Sequence, residues 1–365
     1  MLPTNRAFLL TVVVLVQLCA VTSGITWPEC AGEIASYACH ASSPTCNELS
    51  LGRITNTLPL GRGFDMALSS NLYRTRKPHV FELSYCASFS KVGSIFKGFR
   101  MPCEAKPEKH KTPIPDRTGT VSVYESTQTY ANSLGSTFGV SAAALPYAFS
   151  ASASGTWADL RERHGATART SVTSTVGTAR LDNRRCLALT GNYKRCFDQL
   201  SHTDPTDPAY TTLFTEFGTH VITWVKIGGQ QEITSTVNQC AMQRIKKTYS
   251  SVQIGLGKFL SIAAGTKTSS NAFEELQAAE VSYQFIGGNA SLHLPSQWDQ
   301  YEASVLENQA VFEFRELMPL YSTVENAGPL PDTDTFRATF EAATMIYLKS
   351  VRVEQPNPVD CESTD

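Results

Sequence analysis

Two regions of the chain alternate with a period of two, and residues patterned this way lie naturally in strands. In "SSVQIGLGKFLSIAAGTK", Val252, Ile254, Leu256, Leu260, Ile262 and Ala264 share one face of an extended chain, with Lys258 the exception. Ser251, Gln253, Gly255, Gly257 and Ser261 share the other face. In the earlier region, Leu145, Tyr147, Phe149, Ala151 and Ala153 alternate with Pro146, Ala148, Ser150 and Ser152. Further on, Val172, Ser174, Val176 and Thr178 share one register of a Thr-rich, β-favouring run. A flexible linker has no need of such alternation. An ordinary half-buried strand has it, and so does a strand of a membrane barrel, apolar toward lipid and small or polar toward a water-filled lumen. On the pattern alone the ordinary strand is the simpler reading.

The leader "MLPTNRAFLLTVVVLVQLCAVTSG" carries one Arg6, an apolar core from Phe8 to Leu18 and small residues at Val21, Ser23 and Gly24. It reads as a signal peptide over residues 1–23. The apolar run is shorter than the roughly 20 residues a spanning helix requires. Of the ten cysteines, Cys19 lies in this leader and nine remain. In a secreted chain these are disulfides first. Cys186 and Cys196 bracket "LALTGNYKR", which reads as a hairpin with a Gly-Asn turn closed by a local bridge. Cys86 and Cys103 are placed to close a similar loop. Nine is odd, which predicts either a free thiol or a bond to another chain.

Residues 24–57 are rich in Cys and Ser and read as an irregular, bridge-held segment. "LPLGRGFD" reads as a turn entering a strand, and the charged, proline-rich "EAKPEKHKTPIPDRTG" over residues 104–119 as a surface loop. In the last third, "VSYQFIGGNASLHL" suggests a strand broken by Gly287 and Gly288, and Ser296 is placed to cap a helix through "SQWDQYEASVL". "AVFEFRELMPL" alternates again, and Phe336, Phe340, Ala343 and Tyr347 recur at helical spacing. A short tail fills residues 353–365.

Several functions are excluded. The formal net charge is −2 and no basic block appears, which argues against nucleic acid as a partner. No two of the seven histidines stand at the spacing of a helix-borne metal pair, and neither a Gly-x-Ser-x-Gly elbow nor a Gly-x4-Gly-Lys phosphate loop occurs. The reading is therefore of a non-enzyme without cofactor or metal. Asn289-Ala290-Ser291 is a sequon, making Asn289 a glycosylation candidate.

One stretch gathers these observations. In "AYTTLFTEFGTHVITWVKIGG", Tyr210 is followed after six residues by Phe217-Gly218-Thr219-His220. This resembles the signature of the membrane attack complex/perforin family, with Val221 where the family usually has an aromatic. "KIGG" with Gly228 and Gly229, and "FIGG" with Gly287 and Gly288, are similar to the family's two glycine pairs. "GRGFD" is similar to its opening element and "FEFRELMPL" to its closing strand. The resemblance implies a MACPF domain over residues 58–352.

What the resemblance implies is an α+β fold: a bent, twisted antiparallel sheet of four long strands flanked by two helical clusters that can convert to β-hairpins. It implies membrane-inserting segments near 133–180 and 241–282, which contain Leu145, Tyr147, Phe149, Val172, Val176, Val252, Ile254, Leu256, Leu260 and Ile262. The expected activity is that of a secreted pore former that assembles with copies of itself on target-membrane lipids. The alternative is a non-lytic extracellular binding or assembly module. The odd cysteine leaves room for a disulfide-linked or targeting partner chain. His220 is expected to be structural, and the four glycines either hinges or points of tight packing.

Overall fold

A computed structural model describes residues 56–66, 77–83, 96, 99–102, 104–116, 122–124, 166–237, 280–292, 297–328 and 330–350. Its strands are β1 (Asn56–Thr57), β2 (Gly63–Phe64), β3 (Phe99–Arg100), β4 (Ala105–Asp116), β5 (Ser122–Tyr124), β6 (Ala166–Leu181), β7 (His220–Val237), β8 (Glu280–Ile286) and β9 (Ala310–Pro319). Its α-helices are α1 (Gly191–Phe197), α2 (Pro208–Phe217), α3 (Trp298–Glu307) and α4 (Thr333–Ser350). β1 and β3 form a two-residue parallel pair.

The remaining strands form one antiparallel sheet with β7 at its centre. β6 lies along one edge of β7 and β4 lies outside β6. β9 and β8 lie end to end along the other edge of β7, the first against Gly228 and the residues before it, the second against Gln230 and those after. β5 continues the line of β4 along the far end of β6.

The β4–β6 and β6–β7 ladders slip at one level. β6 has one extra residue, Val176, between the rungs Thr175↔Gly228 and Gly177↔Ile227. Opposite it, β4 has four, His110 to Pro113. On the other side of β7 the same level is where β9 stops, at Ala310, and β8 starts, at Ile286. A bulge bends its strand and increases the local twist. Stacked bulges therefore bend the sheet along a line through Gly228.

The bulge also corrects the expected register. Val172, Ser174 and Val176 are buried as an alternating set, but after the extra residue the buried positions become Gly177, Ala179 and Leu181. Thr178 drops out of the face that the sequence pattern gave it.

Two further expectations change. "LALTGNYKR" is not a hairpin: Thr190 accepts from the Tyr193 amide and starts α1, which places Tyr193 and Phe197 on one buried face. Residues 105–116 are not a loop but the twelve-residue edge strand β4, with most of its side chains exposed.

The helices pack through aromatic rings. Asp207 caps α2 by accepting from the Ala209 amide, Pro208 takes the first turn, and Tyr210, Leu213, Phe214 and Phe217 form the buried stripe. On α4 the corresponding stripe contains Phe336, Phe340, Ala343 and Tyr347. Phe340 lies 5.3 Å from Tyr210 and 5.9 Å from Phe214, and Phe214 lies 5.0 Å from Tyr347, ring to ring. Each ring removed from water contributes roughly 1.5–3 kcal/mol, so this cluster fixes α2 and α4 against each other. Among the described residues no helix is long and apolar enough to cross a membrane.

Candidate functional site

The signature residues sit where α2 turns into β7. The stretch is thus half helix, not strand throughout: Tyr210 and Phe217 belong to α2, and β7 begins at His220. Tyr210 donates its hydroxyl to the Ser201 carbonyl at 2.6 Å, and Phe217 meets Tyr193 edge to face at 5.1 Å. Gly218 ends the helix at φ 83°, ψ −163°, its amide still donating to Phe214. A side chain is excluded there twice over. The backbone angle disfavours L residues, and a Cβ would lie 2.5–2.7 Å from Phe64 and Asp65 backbone atoms.

The next two residues tie this turn to the "GRGFD" element. The Thr219 amide donates to the Phe64 carbonyl at 3.0 Å, and the Met66 amide donates to the Thr219 hydroxyl at 3.1 Å. Phe64 pairs with His220 and Gly63 with Val221 across β2 and β7. His220 is 2% exposed, and its Nδ1 lies 2.9 Å from the Thr219 hydroxyl. Burial pushes the imidazole pKa down to about 3, so it is neutral at physiological pH. The buried Asp65 carboxylate accepts from the Tyr347 hydroxyl at 2.9 Å, linking the opening element to α4. Among the described residues no group of three His, Cys, Asp or Glu side chains is placed to hold a metal ion.

The glycine pairs, nearly sixty residues apart in sequence, meet at the bend. Rung Gln230↔Ile286 places them side by side, and a Cβ on Gly287 would lie 2.5 Å from the Gly228 carbonyl oxygen. α3 docks onto the same place. A Cβ on Gly229 would lie 2.5 Å from Val305 Cγ2 and 2.8 Å from Tyr301 Oη. Gly288, at φ 61°, would bring a Cβ to 2.5 Å from the Tyr301 ring. Tyr301 donates to the Ile286 carbonyl at 3.1 Å, and the Gly288 amide donates to the Asn308 carbonyl at 2.7 Å. The glycines therefore make room for a helix at the line where the sheet bends. Beside them, Ser174 on β6 is 1% exposed and its hydroxyl has no hydrogen-bond partner among the described residues.

Sequence reading found the glycines but not Tyr301, Val305 and Asn308, whose docking depends on a contact no local pattern announces. α3 itself begins at Trp298 with Gln297 at its cap and no side-chain capping bond. Ser296, the expected cap, lies outside the described residues.

Of the expected inserting residues, Val172 and Val176 are buried in β6 within the sheet. Leu145, Tyr147, Phe149, Val252, Ile254, Leu256, Leu260 and Ile262 lie outside the described residues. The expected Cys186–Cys196 bridge is not formed: Cys186 is disulfide-bonded, and Cys196 is a free thiol. Cys196 lies on α1. Burial, then the adjacent Glu216 carboxylate, raise its pKa, and its thiol points to Glu216 Oε2 at 3.8 Å. Cys86 and Cys103 also lie outside the described residues. Asn289 is exposed in the turn after Gly288, its Oδ1 accepting from the Ser291 amide and hydroxyl at 3.0 and 2.8 Å.

Comparison with known proteins places this architecture. No curated protein is similar enough in sequence to match. Among solved structures, GNIP1Aa from Chromobacterium piscinae is similar in fold, with a TM-score of 0.54 at 15% identity over 82% of this chain and 57% of its own. A MAC/Perforin-domain protein from Bacteroides thetaiotaomicron gives a TM-score of 0.43 at 13% identity, covering 69% of this chain and 54% of that one. Astrotactin-2, a perforin-like membrane protein of vertebrates, gives 0.38 at 13%, covering 79% and 46%. The chain thus spans little more than half the length of these proteins, or less. The family model of the MAC/Perforin domain matches residues 51–357, most of the sequence, and the chain belongs to that family.

Proposed function

We propose that this chain is a pore former that is secreted through its leader, assembles with copies of itself on a target membrane and inserts β-hairpins to complete a large transmembrane barrel. Family membership supports a pore-forming or MACPF-like role, and members commonly oligomerise on membranes.

The observation that carries this reading is topological. β5 and β6 are antiparallel neighbours joined by residues 125–165, and β7 and β8 are antiparallel neighbours joined by residues 238–279. Both excursions leave and rejoin the same end of the sheet, and β6 and β7 run side by side to Ala166↔Val237 at that end. Each segment is about four times the roughly 10 residues that one spanning strand needs. Either one has length for two such strands, continuing the strands from which it springs. A closed barrel leaves no backbone group unpaired in lipid.

In this reading Val172 and Val176 belong to the stem that feeds the hairpins, not to the hairpins themselves. Straightening the sheet along the line through Gly228 requires α3 to leave its place over Gly229 and Gly288. Hinge and tight packing are then one device: glycines seat the helix when the sheet is bent and permit the new backbone angles when it is not. Exposure of Asn289 supports a glycan there after secretion.

The deciding experiment is dye release from liposomes of several compositions by the mature chain, with electron microscopy of the membranes. Leakage with arcs or rings is expected. No leakage and no arcs on any lipid would replace this reading with the non-lytic extracellular module. Gly228→Val, folded and still assembling, is expected to lose lysis; unchanged lysis would remove the hinge from the mechanism.

A further inference from the structure

The outer edge of β4 carries an unusual sequence for a strand, "AKPEKHKTPIPD", with prolines at 107, 113 and 115. Among the described residues no strand pairs with this edge. Its side chains are exposed over most of its length, Ile114 to 52%. An open edge of this kind is a template for another chain.

The hydrogen bonds show which way its amides point. Asp182 donates to the Glu104 carbonyl at 3.2 Å, and 104 and 182 continue the register in which Ala105 faces Leu181. In an antiparallel ladder bonded and non-bonded rungs alternate. Lys106 and Glu108 are therefore on bonded rungs, while Ala105, Pro107 and Lys109 turn their backbone groups outward. The Ala105 amide confirms this, since it donates to Pro102 at 3.1 Å and not to β6. Below the bulge Pro115 faces Ser174 in the ladder, and a proline in a ladder takes the outward position.

Of the outward positions, Pro107 and Pro115 have no N–H and Ala105 has already spent its own. Lys109 is the one outward ladder position of β4 that can still donate, and it carries a charge. Pro113 lies in the four-residue bulge, which twists the edge away. Proline, lysine and bulge are each known means of blunting an edge, and β4 combines all three.

The rungs below are different. Ser122, Arg169, Thr234 and Ser282 form one row across the sheet; Val123, Ala168, Ser235 and Val281 the next; Tyr124, Thr167, Thr236 and Glu280 the last. Neither "SVY" of β5 nor "EVSYQFI" of β8, the outer strands at this level, contains proline or lysine.

We propose that β4 is a guarded edge: its prolines keep a second copy of this chain from adding a strand across residues 105–116, and confine sheet-to-sheet pairing between copies to the rungs of β5 and β8. The confinement to β5 and β8 rests on the assembly reading above; the guard does not. At these rungs pairing between copies directly adjoins the segments proposed to insert, and the upper sheet stays a closed unit in each copy.

Two measurements test it. In solution, Pro107→Thr/Pro113→Thr/Pro115→Thr restores outward donors on an exposed edge, and sedimentation is expected to show self-association at about tenfold lower concentration than the natural chain or below. Sedimentation identical to the natural chain would overturn the guard. On liposomes, in a Cys196→Ser background, Val123→Cys/Val281→Cys is expected to give an oxidation-dependent ladder of multimers. Lys106→Cys/Glu316→Cys, at opposite ends of a rung above the bulge, is expected to give monomer. Arcs on the membrane with the second pair cross-linked and the first not would overturn the confinement. If no arcs form, the assembly reading fails with the confinement to β5 and β8, and the solution variant alone decides the guard.

Discussion

Tyr301 occupies the space that a side chain on Gly288 would take, with ring atoms 2.5–3.0 Å from the Cβ an alanine would carry. Gly288→Ala therefore meets two costs, a backbone strain of about 1–3 kcal/mol at φ 61° and the displacement of the ring. We expect a loss of at least about 2 kcal/mol in urea denaturation. In a Tyr301→Ala background the ring is already gone, and the added loss on Gly288→Ala is expected to shrink to the strain alone. Equal losses in both backgrounds would show that α3 does not seat on this glycine.

Acid is expected to loosen the signature junction through His220. Its folded-state pKa, about 3, lies below the ordinary value of 6.5, so between these limits the unfolded chain binds the proton and the folded chain does not. Stability therefore falls as pH drops through this window, by about 1.6 kcal/mol between pH 6.5 and 5 from this group. His79, lowered to about 4 by burial and by Arg62, acts with the same sign. Denaturation curves of the natural chain and His220→Gln across pH 7.5 to 5 check this. The variant is expected to show the shallower dependence; parallel curves would locate the acid sensitivity elsewhere.

The two described cysteines are expected to behave in opposite ways. Native thiol labelling with mass spectrometry is expected to mark Cys196, faster as pH rises because its pKa is raised, and to leave Cys186 unmarked until reduction. Cys196→Ser is expected to change stability by no more than about 0.5 kcal/mol, and Cys186→Ser to cost about 2–5 kcal/mol. Labelling of Cys186 in the unreduced protein would refute the assignment.

Asn289 is expected to carry an N-glycan when the chain is made in a eukaryotic secretory host. Intact mass before and after enzymatic deglycosylation is the measurement, with Ser291→Ala as the variant that removes the acceptor. An unmodified Asn289 in secreted protein would overturn the assignment.

The parts of the fold that could be read from the sequence were those in which one periodicity runs unbroken. Phe336, Phe340, Ala343 and Tyr347 keep helical spacing and form the buried stripe of α4. The alternation of "AVFEFRELMP" becomes β9, and the strand before Gly287 becomes β8. The failures have separate physical causes. Val176 inverts a register by being one residue too many, and a bulge leaves no mark on a pattern of valines and threonines. In "TGNYKRC" a Gly-Asn pair suggested a turn, but Thr190 just before it is a helix cap, and the buried pair Tyr193 and Phe197 is at helical spacing. Residues 104–119 looked like a loop because charge and proline usually mean one. Here they mark the outermost strand, where the same residues serve on a free edge.

The candidate site was half legible. Gly228, Gly229, Gly287 and Gly288 declared themselves, because a glycine pair beside a β-run is conspicuous in sequence, and Gly218 through its place before Thr219 and His220. What they make room for did not, because Tyr301 and the Gly228 carbonyl meet them only through the sheet.

The order of the strands gives the guarded edge a meaning earlier than any assembly. β4, β6, β7 and then β8 with β9 follow one another both in sequence and across the sheet. In order of synthesis β4 is therefore available before β6, β7, β8 and β9. Among the described residues no later strand pairs with its outer side, so this edge is open to other copies from the moment the sheet begins to form. The guard proposed for β4 would then act on the half-made protein as much as on the finished one.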